Sequence, residues 1–314
     1  MFSIKKESFG KTLAYHLRNT DTEEYVVIVP SYGAIVNAWF VRTQTGLVNI
    51  IDGYVDDHDF KLNNESSYKS NFLFPFPNRT ANGIYSFKHT EYQLPLNFPQ
   101  ENNAIHGLVY DQDFKVIATN ESSQEAKLIL QLDAASLEGF PFPFNLRITY
   151  ILSATGLQMI SEIENTGKEE FPFGLGWHHY FKVGELIDTA VLNFPAVTLL
   201  QVNKQMIPTG EFMSYNQFTH PKTIGGTQLD TCFFLDDQGW VKLSLAESAT
   251  GIKLELSYDT KVFPYLQVYT PQDRRSIALE PMTCAPDALN NHKGIKILKP
   301  KEKFSSTFTV NLSR

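Results

Sequence analysis

The sequence predicts an all-β protein, and three observations carry that prediction. Short apolar runs, alternating or continuous, recur along the chain about every ten residues. Clusters of Gly, Pro, Asn and Asp separate them, and helical periodicity is almost absent. With 42% apolar residues, 24 Phe and 14 Tyr, the chain has ample material for a large core.

The strand signals fall at Tyr25 to Val29, Leu128 to Leu132, Leu146 to Leu152, Leu157 to Glu164, Tyr265 to Tyr269, Ile277 to Glu280 and Phe304 to Leu312. Val241 to Leu245 and Ile252 to Tyr258 alternate apolar and polar on both sides of an Ala-Glu-Ser-Ala-Thr-Gly turn, which reads as an amphipathic hairpin. Only Asp56 to Ser70 is polar and turn-free enough for a short helix or long surface loop. No βαβ rhythm follows it. No linker composition or internal repeat marks a boundary, so residues 1–314 are expected to form one domain.

Charge and composition exclude several function classes. Lys plus Arg number 27 and Asp plus Glu 34, a net charge of −7 without long blocks of one sign. A nucleic-acid partner would find no basic patch, and none is expected. Met1 to Leu17 carries no apolar signal region, and no window reaches the length of a membrane span. The expectation is therefore a cytoplasmic protein with no membrane partner, either monomer or homodimer. Cys232 and Cys284 lie far apart, in no C-x-x-C spacing, and read as two reduced thiols. The eight histidines show no H-E-x-x-H or paired ligand spacing, so no metal and no cofactor are expected. Gly225-Gly226-Thr227 lacks the remainder of a phosphate-binding loop.

Two segments carry ionisable groups in places that solubility does not explain. Read as one strand, Phe173-Gly-Leu-Gly-Trp-His-His-Tyr-Phe181 places Phe173, Leu175, Trp177, His179 and Phe181 on one face. Gly174, Gly176, His178 and Tyr180 fall on the other, where the glycines are expected to leave space beside His178. His178 is the better functional candidate of the pair; its alternative is a hydrogen-bonded core histidine. In Ser276-Ile-Ala-Leu-Glu-Pro-Met282, Glu280 shares its face with the small Ser276 and Ala278 at the end of an apolar run, where carboxylates are rare unless paired or functional. The alternative there is an edge-strand ion pair.

Weaker candidates surround these two. Asn71-Phe-Leu-Phe-Pro-Phe-Pro-Asn-Arg79 is extended by its prolines and delivers Asn78 and Arg79 at its end, a guanidinium suited to ligand hydroxyls. His106 precedes Gly107 at a loop-to-strand transition, and Asp230 in Leu-Asp-Thr-Cys-Phe either accepts hydroxyl protons or caps a turn.

Taken in order, these segments resemble the aldose 1-epimerase, or galactose mutarotase, family over nearly the whole chain. Pro75 to Phe87 is similar to the family's P-x-P-N-R-I-x-x-G-x-Y-x-F segment, which would make Arg79 its sugar-binding arginine. Asn103-Ala-Ile-His-Gly107 resembles N-x-[LI]-H-G, and Gly176-Trp-His-His-Tyr-Phe181 resembles G-[FW]-H-P-Y-F. The resemblance implies a β-supersandwich, a sugar substrate, His178 as general acid, Glu280 as base, and Arg79, Asn78, His106 and Asp230 as sugar-binding residues. Thr80, Leu108 and His179 depart from the family pattern; alternation points His179 away from the Glu280 side, so the chemistry is expected to survive. The general acid should be protonated and the base ionised together, which ordinary values of about 6.5 for His and 4.3 for Glu nearly allow. Arg274-Arg275 leaves a phosphorylated sugar open, and the scaffold also suits a non-catalytic sugar-binding protein. A glycosidase using Asp230 and Glu280 would leave His178 without a task.

Overall fold

The computed structural model describes residues 1–195 and 197–313. Antiparallel sheets of nine, eight and five strands dominate, with three two-stranded ribbons. Among the described residues, no helix is long and apolar enough to cross a membrane.

The nine-stranded sheet shows why alternating sequence becomes a layer. In Glu125–Ala134, every second side chain from Ala126 to Leu132 is buried, and the register sets Leu128, Leu130 and Leu132 opposite Tyr150, Ile148 and Leu146 of Phe144–Ser153. A one-residue slip would turn that whole row to water. Gly156–Asn165 follows as the next neighbour, and the C-terminal strand Lys303–Ser313 enters between it and Ile252–Asp259. Within this face a Ser161–Ser306 hydroxyl pair closes at 2.6 Å, so neither buried hydroxyl goes unpaired. The hairpin expected around residue 250 pairs Trp240–Glu247 with Ile252–Asp259 in continuous register.

The five-stranded sheet is a simple meander from Phe2–Phe9 through Gly46–Asn49. Both its faces are covered. Val26 and Ile28 join the main core, while Val27 and Val29 face a smaller cluster under Tyr54 and Phe60. Phe60 belongs to the helix Asp57–Ser67, which realises the helical option for this polar stretch. Asp56 caps it by accepting from the His58 and Asp59 amides, and only Asp57, Phe60 and Asn64 are buried. Burial of the Phe60 ring contributes about 1.5–3 kcal/mol, which anchors an otherwise hydrophilic helix.

The eight-stranded sheet carries the chemistry. Its central strands are Asp230–Phe234, Tyr265–Tyr269 and Ile277–Met282, followed by the short pieces Gly176–Trp177 and Phe72–Leu73, while Tyr180–Phe181 also pairs with Ile277–Met282. The segment from Phe173 to Phe181 is not the single strand expected. It breaks into Phe171–Phe173, Gly176–Trp177 and Tyr180–Phe181, the first in a ribbon with Lys296–Leu298. Its intervening amides bond elsewhere: Gly174 N–H donates to the Pro75 carbonyl and His178 N–H to that of Asn71. The glycines also do not open space as expected. A Cβ on Gly174 would stand 2.2 Å from Cys284 Sγ, so that glycine admits a close crossing of chains. The two-faced division survives these breaks, because Phe173, Leu175, Trp177 and Phe181 all lie in the main core.

Candidate active site

Register assembles the site from strands far apart in sequence. Gln267 pairs with Glu280, and Tyr269 pairs with Asp230 on one side and Ala278 on the other. Ala278 pairs in turn with Tyr180, whose ring meets that of Tyr269 edge to face at 6.3 Å. Glu280, Gln267, Tyr269, Asp230 and Tyr180 thereby share one cavity lining. Glu280 does not end its strand; Ile277–Met282 runs on through Pro281.

A second wall comes from the ribbon of Arg79–Ala81 and Asn103–Ile105, in which Arg79 pairs with Ile105. His106 follows with φ +62°, its N–H donating to the Asn78 carbonyl at 2.8 Å. Next comes Gly107 at φ +77°, where a Cβ would stand 2.2 Å from the Phe74 carbonyl oxygen; only glycine fits. Asp287, seven residues beyond Glu280, donates its N–H to the Arg79 carbonyl and accepts from the Ala81 amide at 2.9 Å, latching this wall to the main sheet. The helix end supplies the rim. Tyr68 adopts φ +49°, returns its N–H to Asn64, and lays its ring against His106 at 4.8 Å.

All six residues singled out from sequence, Asn78, Arg79, His106, His178, Asp230 and Glu280, line this cavity. His178 Nε2 lies 3.4 Å from Glu280 Oε1, with both side chains buried. His178 stacks on Tyr180 at 4.8 Å and meets the His106 ring edge-on at 4.8 Å. His178 Nδ1, His106 Nδ1 and Glu280 Oε2 have no protein partner. Buried polar atoms left open in this way suit a polar ligand. Asp230 accepts from Gln267 Nε2 at 2.7 Å. Arg79 gives Nε to Glu101 Oε2 at 2.5 Å and Nη2 to Glu101 Oε1 at 3.3 Å, and Nη1 to Asn78 Oδ1 at 3.2 Å.

Burial moves four groups of the site toward their uncharged forms. Burial lowers the His178 pKa to about 3 and holds that of His106 well below its ordinary value, with His178 and Arg79 adding to the second shift. Burial raises Glu280 well above the usual carboxylate range, with Asp230 raising it further and Arg79 opposing. Asp230 is raised by burial too, against the pull of Arg79. Burial therefore favours neutral imidazole and neutral carboxyl over imidazolium and carboxylate. Both arrangements hold one proton.

Eight further residues line the cavity, Tyr68, Gln267 and Tyr269 among them; Tyr180 is another, on the face that alternation gives His178. Gln267 left a signal, being the polar residue of an otherwise apolar strand. Tyr68 left none, since its place depends on the helix end. His106, His178 and Glu280 also form a set that could hold a metal, which no sequence spacing indicated; their ligand atoms lie within 4.8 Å of one another. A tetrahedral zinc ion needs donors about 3.3 Å apart, so this set would have to draw in to hold one.

His179 points into the core as alternation predicts, packing against Trp177 and Phe181, with neither ring nitrogen paired. Arg274 is bound to Asp188 and donates to the carbonyls of Gly225 and Thr227. Arg275 lines a different hollow, beside Lys182 and Gly184. Neither arginine lines the cavity of His178.

A large antiparallel sandwich with a buried histidine–carboxyl pair among polar walls fits the resemblance read from the sequence. Comparison with known proteins agrees: the aldose 1-epimerase family profile matches residues 15–311, and the chain belongs to that family. The uncharacterised protein YihR of Escherichia coli K12 is 30% identical over 234 residues, 72% of either chain. A galactose mutarotase-like protein from Clostridium acetobutylicum superposes with a TM-score of 0.88 at 20% identity, covering 100% of this chain and 99% of that one. Galactose 1-epimerase from Lactobacillus acidophilus gives 0.79 at 19% identity, covering 100% and 98%. At those identities the likeness is one of fold. Family membership supports an isomerase-type enzyme acting on a sugar.

Proposed function

We propose that this protein interconverts the α and β anomers of a neutral hexose, with Glu280 as base and His178 as acid. The observation that carries the reading is the buried pair at 3.4 Å, whose two residues line one cavity with Arg79 and Asp230. Glu280 takes the proton of the anomeric hydroxyl as the C1–O5 bond breaks, and His178 gives a proton to O5. The open-chain aldehyde turns about C1–C2. Closure on the other face reverses both transfers. Imidazolium with carboxylate differs from the neutral pair that burial favours only in where one proton sits, so either form holds the number of protons the exchange uses. Asp230, held by Gln267, accepts from hydroxyls; Arg79, Asn78 and His106 supply the remaining polar contacts.

The phosphorylated alternative loses support, because Arg274 is committed to Asp188 and loop carbonyls and Arg275 lines another hollow. A non-catalytic sugar receptor would not need an acid and a base buried side by side. The test is polarimetry or proton NMR on freshly dissolved α-glucose, α-galactose and glucose 6-phosphate, with wild type and Glu280→Gln. Faster anomer exchange with wild type alone supports the proposal; folded wild type that accelerates no aldose overturns it.

A further inference from the structure

We propose that Glu101 sets the charge class of sugar this site admits: by gripping the side of Arg79 it cancels the cavity's cation and turns anionic sugars away. The inference rests on the sugar-site reading above and goes beyond it.

Among the described residues lining the cavity, Arg79 is the only arginine or lysine. Left to itself, that guanidinium would be a ready anchor for a carboxylate or phosphate group on a sugar. It is not left to itself. A guanidinium has five N–H donors; Glu101 takes those of Nε and one of Nη2, and Asn78 takes one of Nη1. Two donors remain, enough for neutral hydroxyls. The contact is side-on and two-pronged, and it is largely shielded, with 8% of the Arg79 side chain and 21% of that of Glu101 exposed. The Phe98 ring lies 5.8 Å from the guanidinium carbon and limits its movement.

Glu101 is itself anchored. Asn103 Nδ2 reaches Glu101 Oε2 at 3.4 Å and the Gln205 carbonyl at 2.9 Å, while Gln205 Nε2 donates to the Glu101 carbonyl at 3.4 Å. Asn103 thus steadies the carboxylate itself, and Gln205 the main chain that carries it. Glu101 does not itself line the cavity. Besides Arg79 the cavity presents carboxyl groups and a negative dipole end: Asp230 and Glu280 are acids, and Ser66 and Ser67 present the C-terminal, partially negative end of the helix Asp57–Ser67. An anionic substituent would meet acids and a neutralised arginine.

The experiment compares full-length wild type, Glu101→Gln and Glu101→Asp, each checked for folding by circular dichroism, on glucose and glucuronate at one pH and two salt concentrations. Removing the charge is expected to raise the glucuronate-to-glucose ratio of kcat/KM about tenfold at low salt and less at high salt. Glu101→Asp should keep the wild-type ratio. A lost structural contact would slow both sugars together, whereas a charge filter moves the ratio. An unchanged ratio in folded Glu101→Gln overturns the proposal; should that variant not fold, Glu101→Ala reads the same ratio. If wild type accelerates no neutral aldose, the sugar-site reading fails first and takes this inference with it, a result distinct from an active enzyme with an unmoved ratio.

Discussion

His178 Nε2 and Glu280 Oε1 face each other at 3.4 Å in a cavity where burial favours the uncharged form of both. A pair in this condition stores one proton and can present it from either side, as anomer exchange requires.

Removing either member should therefore cost most of the rate. Glu280→Gln and His178→Asn are each expected to lower kcat about 10²–10⁴-fold with little change in fold. The double variant should fall little below the worse single one, because the two groups act as a unit. Saturation-transfer NMR at the anomeric protons measures all three, and multiplicative losses would contradict a shared proton.

The pH dependence follows from the same burial. A second proton must charge His178, which burial resists until about pH 3, and loss of the last proton must ionise Glu280, whose value is raised. The rate should therefore stay level as pH falls through the ordinary histidine value of 6.5 and decline on the alkaline side as Glu280 ionises. Anomer exchange assayed from neutral to mildly acid buffer decides this. An acid limb centred on 6.5 would refute the neutral-pair description.

Arg79→Lys should spare the fold but raise KM. Lysine keeps the charge and loses the fork that meets Glu101 and Asn78 at once. Hydrogen bonds to charged groups contribute about 1.5–3 kcal/mol, so KM is expected to rise roughly tenfold to hundredfold with kcat less affected. Initial rates across a range of sugar concentration separate the two constants.

His179 has two buried nitrogens without partners, and burial lowers its pKa well below the ordinary value. Between that folded value and 6.5 the unfolded chain binds more protons, so stability present above 6.5 is lost as pH falls. His179→Leu should remove that loss and raise stability by about 1–3 kcal/mol, with the gap in Tm over wild type widening toward acid pH. Thermal melts at neutral and acid pH test it; a constant gap would assign the effect to packing alone.

Asn64 holds the rim of the cavity. Its Oδ1 accepts from Tyr54 Oη at 2.9 Å and from Asn71 Nδ2 at 3.0 Å. Asn64→Ala leaves both donors buried without this acceptor and is expected to cost about 1–3 kcal/mol, with a raised KM because Ser66, Ser67 and Tyr68 follow directly. Melting and steady-state kinetics on one preparation check both effects.

Much of this protein was legible from residue order alone. Alternation located the long strands, since a half-buried strand needs period two in its sequence. His178 and Glu280 stood out as ionisable residues on apolar runs, and Arg79, Asn78, His106 and Asp230 followed from the order of motifs. Other features depend on groups brought together from afar. Gly174 is glycine because Cys284 crosses beside it, and the segment around His178 breaks into three pieces because its amides find partners at Asn71 and Pro75. Arg79 meets Glu101 only because a ribbon folds back, and Gln267 reaches Asp230 only through sheet register. The proton on the His178–Glu280 pair is the clearest case. Sequence supplies an imidazole and a carboxyl with ordinary affinities, while the depth at which the sheet buries them decides which forms they take, because the cost of a charge depends on how much water its surroundings exclude.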